Sequence, residues 1–141
     1  MFLITAIACS VPRQTPPSIH PIAVDSSKVG TYPALAHSGG GYFYDQVLEY
    51  RVWVHPGGDD YYRAFPTYEL AAAYSSKQER AEVPLVLVLQ HEHINEPQAG
   101  VFEHIKGDRI SEWKVEWLAG RKRTPESISE FLRAKAASSP R

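Results

Sequence analysis

The sequence predicts an α+β domain in which a mainly antiparallel sheet of about five strands carries two helices, in the order ββαβββα. Three observations support this prediction. Alternating apolar residues over 46–55 indicate a strand buried on one face, and a nearly continuous apolar run over 83–94 indicates a central strand. Residues 124–126, Thr-Pro-Glu, are typical of a helix start.

Residues 46–80 predict a hairpin followed by a helix. A proline, two glycines and two aspartates at 56–60 indicate a turn into a returning strand over 61–65. Thr67 is placed to cap the helix, Glu69 favours its first turn, and its end is expected between residues 77 and 80. Alternation divides the first strand into a core-directed set, Leu48, Tyr50, Val52 and Val54, and an opposite set, Glu49, Arg51 and Trp53.

The second half of the chain predicts three strands and a helix. The central strand over 83–94 leads to a turn at 95–100, a strand over 101–106, a turn at Gly107-Asp108 and a strand over 109–118. Thr124 is the expected cap of the last helix, with Pro125 at its first position. The side chains expected to face the core are Trp113, Val115 and Trp117 from the last strand and Ile128, Phe131 and Leu132 from the helix.

Composition is that of an ordinary globular domain and excludes several classes of function. The 141 residues are enough for one domain with its own core. A net charge of −1 and a pI of about 6.6 give no general attraction to nucleic acid. No segment reaches the roughly 18–20 apolar residues of a membrane span. The single cysteine, Cys9, excludes an intramolecular disulfide and any site built from several cysteines.

The amino-terminal part of the chain differs from the rest. Residues 1–40 are expected to form an extended or disordered leader, followed by one domain over 41–134 and a frayed tail over 135–141. The apolar start leads into Cys9 in a pattern similar to a lipoprotein cleavage site, but no basic residue precedes Arg13. We therefore expect a cytoplasmic protein, with lipid anchoring through Cys9 as the alternative.

Two histidines, His91 and His93, alternate where the apolar central strand ends. If the turn at 95–100 pairs Ile94 with Val101, then His91 lies opposite His104 and His93 opposite Phe102. The candidate ligands of a divalent metal such as zinc would then be His91, His93 and His104. A slip of one residue would place His104 on the other face, and the sequence offers no fourth ligand, so we favour a polar strand end with solvated histidines.

Aromatic residues crowd the first third of the predicted domain. Tyrosine, tryptophan and arginine are the residues that anchor protein interfaces. We therefore predict a small binding or accessory domain, not an enzyme and without a cofactor, that recognises a protein, a small ligand or a second copy of itself through this aromatic sheet face. The alternative is a second core layer packed by the amino-terminal arm or a helix. The candidate binding residues are Tyr44, Arg51, Trp53, Tyr61 and Tyr62.

Three stretches carry a family resemblance over roughly residues 33–133: GGGYFYDQVLEYRVWVHPGGDDYYRAFPTYELA, PLVLVLQHEHINEP and RISEWKVEWLAGRKRTPESISEFL. The chain resembles a family of small, uncharacterised proteobacterial proteins, some of which are labelled GNAT-like N-acetyltransferases. This resemblance implies acetyl-CoA as cofactor and Glu92 or His93, beside the central strand, as the catalytic base. The chain departs from that pattern because the Q/R-x-x-G-x-G/A loop that holds the acyl-CoA pyrophosphate is missing from its sequence. Acetyl transfer is therefore the alternative to binding.

Overall fold

The computed structural model describes residues 19–33 and 43–138 of the chain. In these residues the strands are β1 Gln46–Val54, β2 Tyr61–Phe65, β3 Leu85–Gln98 and β4 Val101–Lys114, the α-helices are α1 Tyr68–Lys77 and α2 Ser127–Ser138, and short 3₁₀ turns span Ser26–Lys28 and Val115–Leu118. The strands form one antiparallel sheet in the order β2-β1-β3-β4. The predicted α+β class is confirmed. Cys9 and the glycines at 39–41 lie outside the described residues.

The described sheet has four strands where the sequence predicts about five, because the predicted turn at Gly107-Asp108 is wrong. Gln90 pairs with Arg109 and Glu92 with Lys106, so β4 carries one extra residue and runs through this point as a β-bulge. Gly107 takes a φ of +158°, which L side chains rarely adopt. The glycine that signals a turn in the sequence therefore occupies a bulge inside a long strand.

The core lies on the face of the sheet that α1 covers, which we call the core face. Tyr50, Val88 and Trp113 are buried there, and Ala71 of α1 packs against them. The helix begins as predicted, because the Leu70 N–H donates to the Thr67 hydroxyl oxygen at 3.3 Å. The strand predicted over 109–118 instead ends at Lys114 and passes into the 3₁₀ turn.

The predicted burial of β1 on one face is wrong, since side chains of both faces are buried. Glu49 and Arg51 are 0% exposed, as are Tyr50 and Val52 on the core face. The pairing of β1 with β3 also shifts register between Val47 and Glu49, and Val47 rather than Leu48 joins the core cluster. β1 has a strand on each side, so both of its edges are hydrogen-bonded within the sheet.

Residues 19–33, from the predicted leader, lie against the sheet. The Val24 N–H donates to the Val47 carbonyl and the Ala23 N–H to the Pro66 carbonyl, both at 2.9 Å, near the point where the short strand β2 ends. The Tyr50 hydroxyl donates to the Pro21 carbonyl on the core face. The Gly30 N–H reaches Glu49 on the opposite face, so this segment crosses from one face to the other.

The far end of the β3–β4 hairpin is covered on one side by α2. Phe131 of α2 contacts Phe102 and Phe43 edge-on, with ring centroids 5.3 and 6.0 Å apart. Ile128 of the same helix is buried, as predicted, whereas the helix begins at Ser127 rather than at Pro125. No helix in the described part of the chain is long and apolar enough to cross a membrane.

Candidate binding surface

A buried arginine organises the sheet face opposite the core. Arg51 Nε lies 2.8 Å from Glu49 Oε2, and both side chains are fully buried. Arg51 Nη1 lies 3.3 Å from Glu112 Oε2 on β4, and the guanidinium sits 4.5 Å from the centroid of the Tyr62 ring. Burying a cation is costly unless its hydrogen bonds are satisfied, and these partners satisfy them.

Trp53 and Tyr62 flank this charge cluster and are half-buried. The Trp53 indole N–H donates to Glu112 Oε2 at 3.2 Å, and the two aromatic rings lie 5.0 Å apart in a tilted arrangement. Glu112 keeps 19% of its side chain exposed. We call the surface formed by Glu49, Arg51, Trp53, Tyr62 and Glu112 the arginine face.

Residues 30–33, which we call the strap, lie across the arginine face. Arg51 Nη2 donates to the Pro33 carbonyl at 2.7 Å and lies 3.5 Å from the Tyr32 carbonyl. The Tyr62 hydroxyl donates to the same Tyr32 carbonyl at 3.1 Å, and the Gly30 N–H donates to Glu49 Oε1 at 3.0 Å. Every one of these bonds joins a side chain of the sheet to the main chain of the strap.

The structure brings three of the five predicted binding residues together. Arg51, Trp53 and Tyr62 share the arginine face. Tyr61 is on the other face of β2, where Arg63 Cζ lies 5.3 Å from the centroid of the Tyr61 ring. Tyr44 is 5% exposed and lies edge-on to Trp113 in the core. It also borders a cleft of about 350 Å³ between residues 19–21 and the 3₁₀ turn that follows β4.

The predicted catalytic residues, Glu92 and His93, point to opposite faces of β3. Glu92 accepts hydrogen bonds from Arg123 at 2.7 Å and lies 3.0 Å from the His104 ring. His93 Nδ1 lies 3.2 Å from the Gly107 carbonyl. Burial lowers the pKa of His93, and the nearby Arg109 cation adds to this effect. The two alternative candidates for a catalytic base therefore lie in different surroundings, Glu92 beside Arg123 and His93 beside Gly107.

The predicted register of the β3–β4 hairpin is wrong, and the histidines are separated as a result. Ile94 pairs with His104 and His93 with Ile105, because β3 extends to Gln98 and the register shifts by one residue between Gln98 and Asn95. His104 therefore lies on the opposite face from His93. His91 binds Asp108 at 2.8 Å. Within residues 19–33 and 43–138, no three His, Cys, Asp or Glu side chains are grouped to hold a metal ion.

Sequence reasoning missed a polar cluster around Arg123, which precedes α2 in the chain, as well as the role of Glu112. Arg123 bridges Asp45 at 2.7 Å and Glu92 at 2.7 Å, and its hydrogen bond to Asp45 raises the pKa of Arg123. Alternation with Trp113 indicates only that Glu112 lies on the face opposite the core. The usable signal was Glu49-x-Arg51, because opposite charges two residues apart on a strand share a face.

Comparison with known proteins adds no relative. No protein-family model matches the chain, and neither a curated protein nor a solved structure matches it. The resemblance to GNAT-like proteobacterial proteins therefore stays a prediction, and the functional argument depends on the geometry of the chain's own side chains.

Proposed function

We propose that this protein is a small binding domain that recognises a polypeptide segment of a partner through the arginine face. The observation that supports this proposal is the half-buried Trp53–Tyr62 pair set beside a buried, fully hydrogen-bonded Arg51. Tryptophan, tyrosine and arginine supply most of the binding energy in protein interfaces. Here they come from two neighbouring strands of a rigid sheet.

Preorganisation favours this surface over the other aromatic positions. Glu49 and Glu112 hold the Arg51 guanidinium, and Glu112 also holds the Trp53 indole N–H, so little side-chain freedom is left to lose on binding. One cation faces two carboxylates, so the cluster has a residual negative charge. A ligand that offers apolar surface to the two rings and an N–H donor to the partly exposed Glu112 complements both features.

The proposal is tested by selecting binders from a displayed random-peptide library on the intact protein. We expect selected peptides to bind Trp53→Phe at least about tenfold more weakly, because phenylalanine lacks the N–H that Trp53 donates to Glu112 and the larger indole surface. The matched control is Trp117→Phe, since Trp117 is half-buried against the core cluster.

Two results would overturn the proposal. The first is the absence of any selected peptide that binds the purified protein in solution. The second is a set of binders whose affinity falls equally in Trp53→Phe and Trp117→Phe, because binding would then depend on general stability and not on the arginine face.

A further inference from the structure

The strap is held to the sheet through its main chain. Three of its polar main-chain groups, the Gly30 N–H and the Tyr32 and Pro33 carbonyls, bond to side chains of the arginine face. Main-chain groups are the same in every polypeptide, so the bonds to the Tyr32 and Pro33 carbonyls do not require the strap's own side chains. An extended segment with two consecutive carbonyls can make them.

The strap's side chains contribute little to its attachment. Gly30, Thr31 and Pro33 are exposed, and Tyr32 is half-buried. Within residues 19–33 the one buried hydrophobic side chain is Ala23, which lies outside the strap. Attachment through a few hydrogen bonds and little apolar area gives a segment that another chain can replace without opening the core.

The local sequence of the strap also fits a recognised mode of binding. A residue before proline is restricted to extended or polyproline II conformations. In such a conformation the Tyr32 and Pro33 carbonyls make no hydrogen bond within the segment and are free to accept one from the sheet's side chains. Grooves lined by aromatic side chains take such proline-containing segments because their carbonyls have no partner within the segment. Trp53 and Tyr62 supply aromatic rings here, and Arg51 and the Tyr62 hydroxyl supply the donors.

We infer that the strap is a resident ligand of the polypeptide-binding surface. The partner segment is of the same chemical class, an extended Xaa-Pro stretch held through two consecutive carbonyls, and it binds by replacing the strap. This inference rests on the proposed function. It adds the class of ligand, the atoms that recognise it, and competition between the partner and the chain's own residues 30–33.

The test breaks the covalent link between the strap and the sheet by a single cut. A protease cleavage sequence is inserted between Ser38 and Gly39 of the full chain, and a fluorescent peptide with the sequence of residues 26–36 is added before and after cleavage. The tether holds the strap at an effective concentration on the order of millimolar, so we expect the cut protein to bind the peptide at least about tenfold more tightly than the uncut protein. Circular dichroism before and after the cut checks that the fold persists.

Two neighbouring tyrosines give matched variants for the cut protein. Tyr62→Phe removes the hydroxyl that donates to the Tyr32 carbonyl, and we expect peptide affinity to fall about two- to tenfold. Tyr61→Phe removes the hydroxyl of the adjacent residue on the opposite face of β2 and should leave affinity unchanged. An equal loss in both variants would overturn the inference.

If the cut chain unfolds, a variant of the uncut protein tests the same inference. Gly30→Pro in the uncut protein removes the N–H that bonds Glu49, and proline cannot take the φ of +85° found at this position. The loosened strap should then compete less, and the uncut variant should bind the peptide more tightly than the parent protein. Unchanged affinity would overturn the inference.

The outcomes also distinguish this inference from the proposed function. Library peptides that depend on Trp53 but do not compete with the peptide of residues 26–36 would leave the proposed function in place and overturn the inference. If the peptide of residues 26–36 exchanges but the library yields no binder, both fall, and the strap is a structural segment only.

Discussion

The core face and the arginine face of the sheet both contain fully buried side chains, but of different kinds. On the core face, Val88 and Trp113 pack against α1 as apolar surface. On the arginine face, Glu49 and Arg51 are equally inaccessible and are stabilised by ion pairs and hydrogen bonds. Apolar surface is stabilised by leaving water, whereas buried charges need specific partners. Removing a residue should therefore have different consequences on the two faces.

The largest loss is expected on the core face, from Trp113→Ala. Trp113 is 1% exposed, and truncation of a buried tryptophan costs about 3–5 kcal/mol of unfolding free energy through lost burial and a residual cavity. Urea unfolding followed by circular dichroism measures this loss. A loss below about 1 kcal/mol would show that the core face does not carry the stability attributed to it.

On the arginine face, Arg51→Met should destabilise the protein by about 3 kcal/mol, because it leaves Glu49 buried without its cation. The double variant Glu49→Leu/Arg51→Met should recover most of this loss, since apolar residues of similar volume often replace a buried ion pair at little cost. Urea unfolding of both variants gives the comparison. A double variant less stable than the single one would contradict this account and show that the strap's bonds to both residues matter more.

Smaller effects are expected where the two faces hold residues 19–33. Tyr50→Phe removes the hydroxyl that bonds Pro21 on the core face, and Tyr62→Phe removes the one that bonds Tyr32 on the arginine face. Each should cost about 0.5–1.5 kcal/mol, the net value of a hydrogen bond. Hydrogen–deuterium exchange locates the effect: Tyr50→Phe should speed exchange at the Ala23 N–H, and Tyr62→Phe at the Gly30 N–H. The same pattern in both variants would mean that the segment opens as one unit.

The smallest effects are expected from two histidines with opposite dependence on pH. Hydrogen bonds to Asp60 at 3.0 Å and Glu82 at 3.1 Å raise the pKa of His55. The contribution of His55 to the free energy of unfolding is therefore present below the ordinary pKa of 6.5 and is lost as pH rises through the raised pKa. Burial lowers the pKa of His93, so stability falls as pH drops below 6.5, where the unfolded chain takes up the proton.

Unfolding free energies between about pH 5 and pH 8 test these directions. His55→Gln should remove the loss of stability with rising pH, and His93→Gln should remove the loss with falling pH. Neither histidine contributes to the core cluster or to the arginine face, so the ranking of Trp113→Ala and Arg51→Met should be the same at both ends of the range. A reversal of that ranking would contradict the separation of the two faces from these sites.

Much of the fold could be predicted because the evidence is local. Alternation located β1, and the Thr67 cap and the apolar stripe around Ile128 located the helices within a few residues. The errors fall where one local signal has two structural meanings. Gly107 suits a turn and a bulge equally well, and Pro97 lies within β3 although it resembled part of a turn. The register shift between Asn95 and Gln98, which contains Pro97, places His104 on the opposite face from His93.

The candidate site could be predicted only in part. Placement of Arg51 and Trp53 on one face followed from alternation, since both lie on the same strand. Glu112 is 61 residues from Arg51, and it reaches the guanidinium only because β3 lies between β1 and β4. Such a contact depends on strand order, which a pattern within one strand does not contain.

The sequence by itself determined where β1, β2 and the two helices lie and that Arg51 and Trp53 share a face, because these properties depend on neighbours along the chain. Only the tertiary structure decided that both faces of β1 are covered, that Glu112 completes the charge cluster, and that residues 30–33 lie across it. The physical reason is that a buried charge is stable only when distant parts of the chain supply its partners, and those partners meet once the whole sheet has formed.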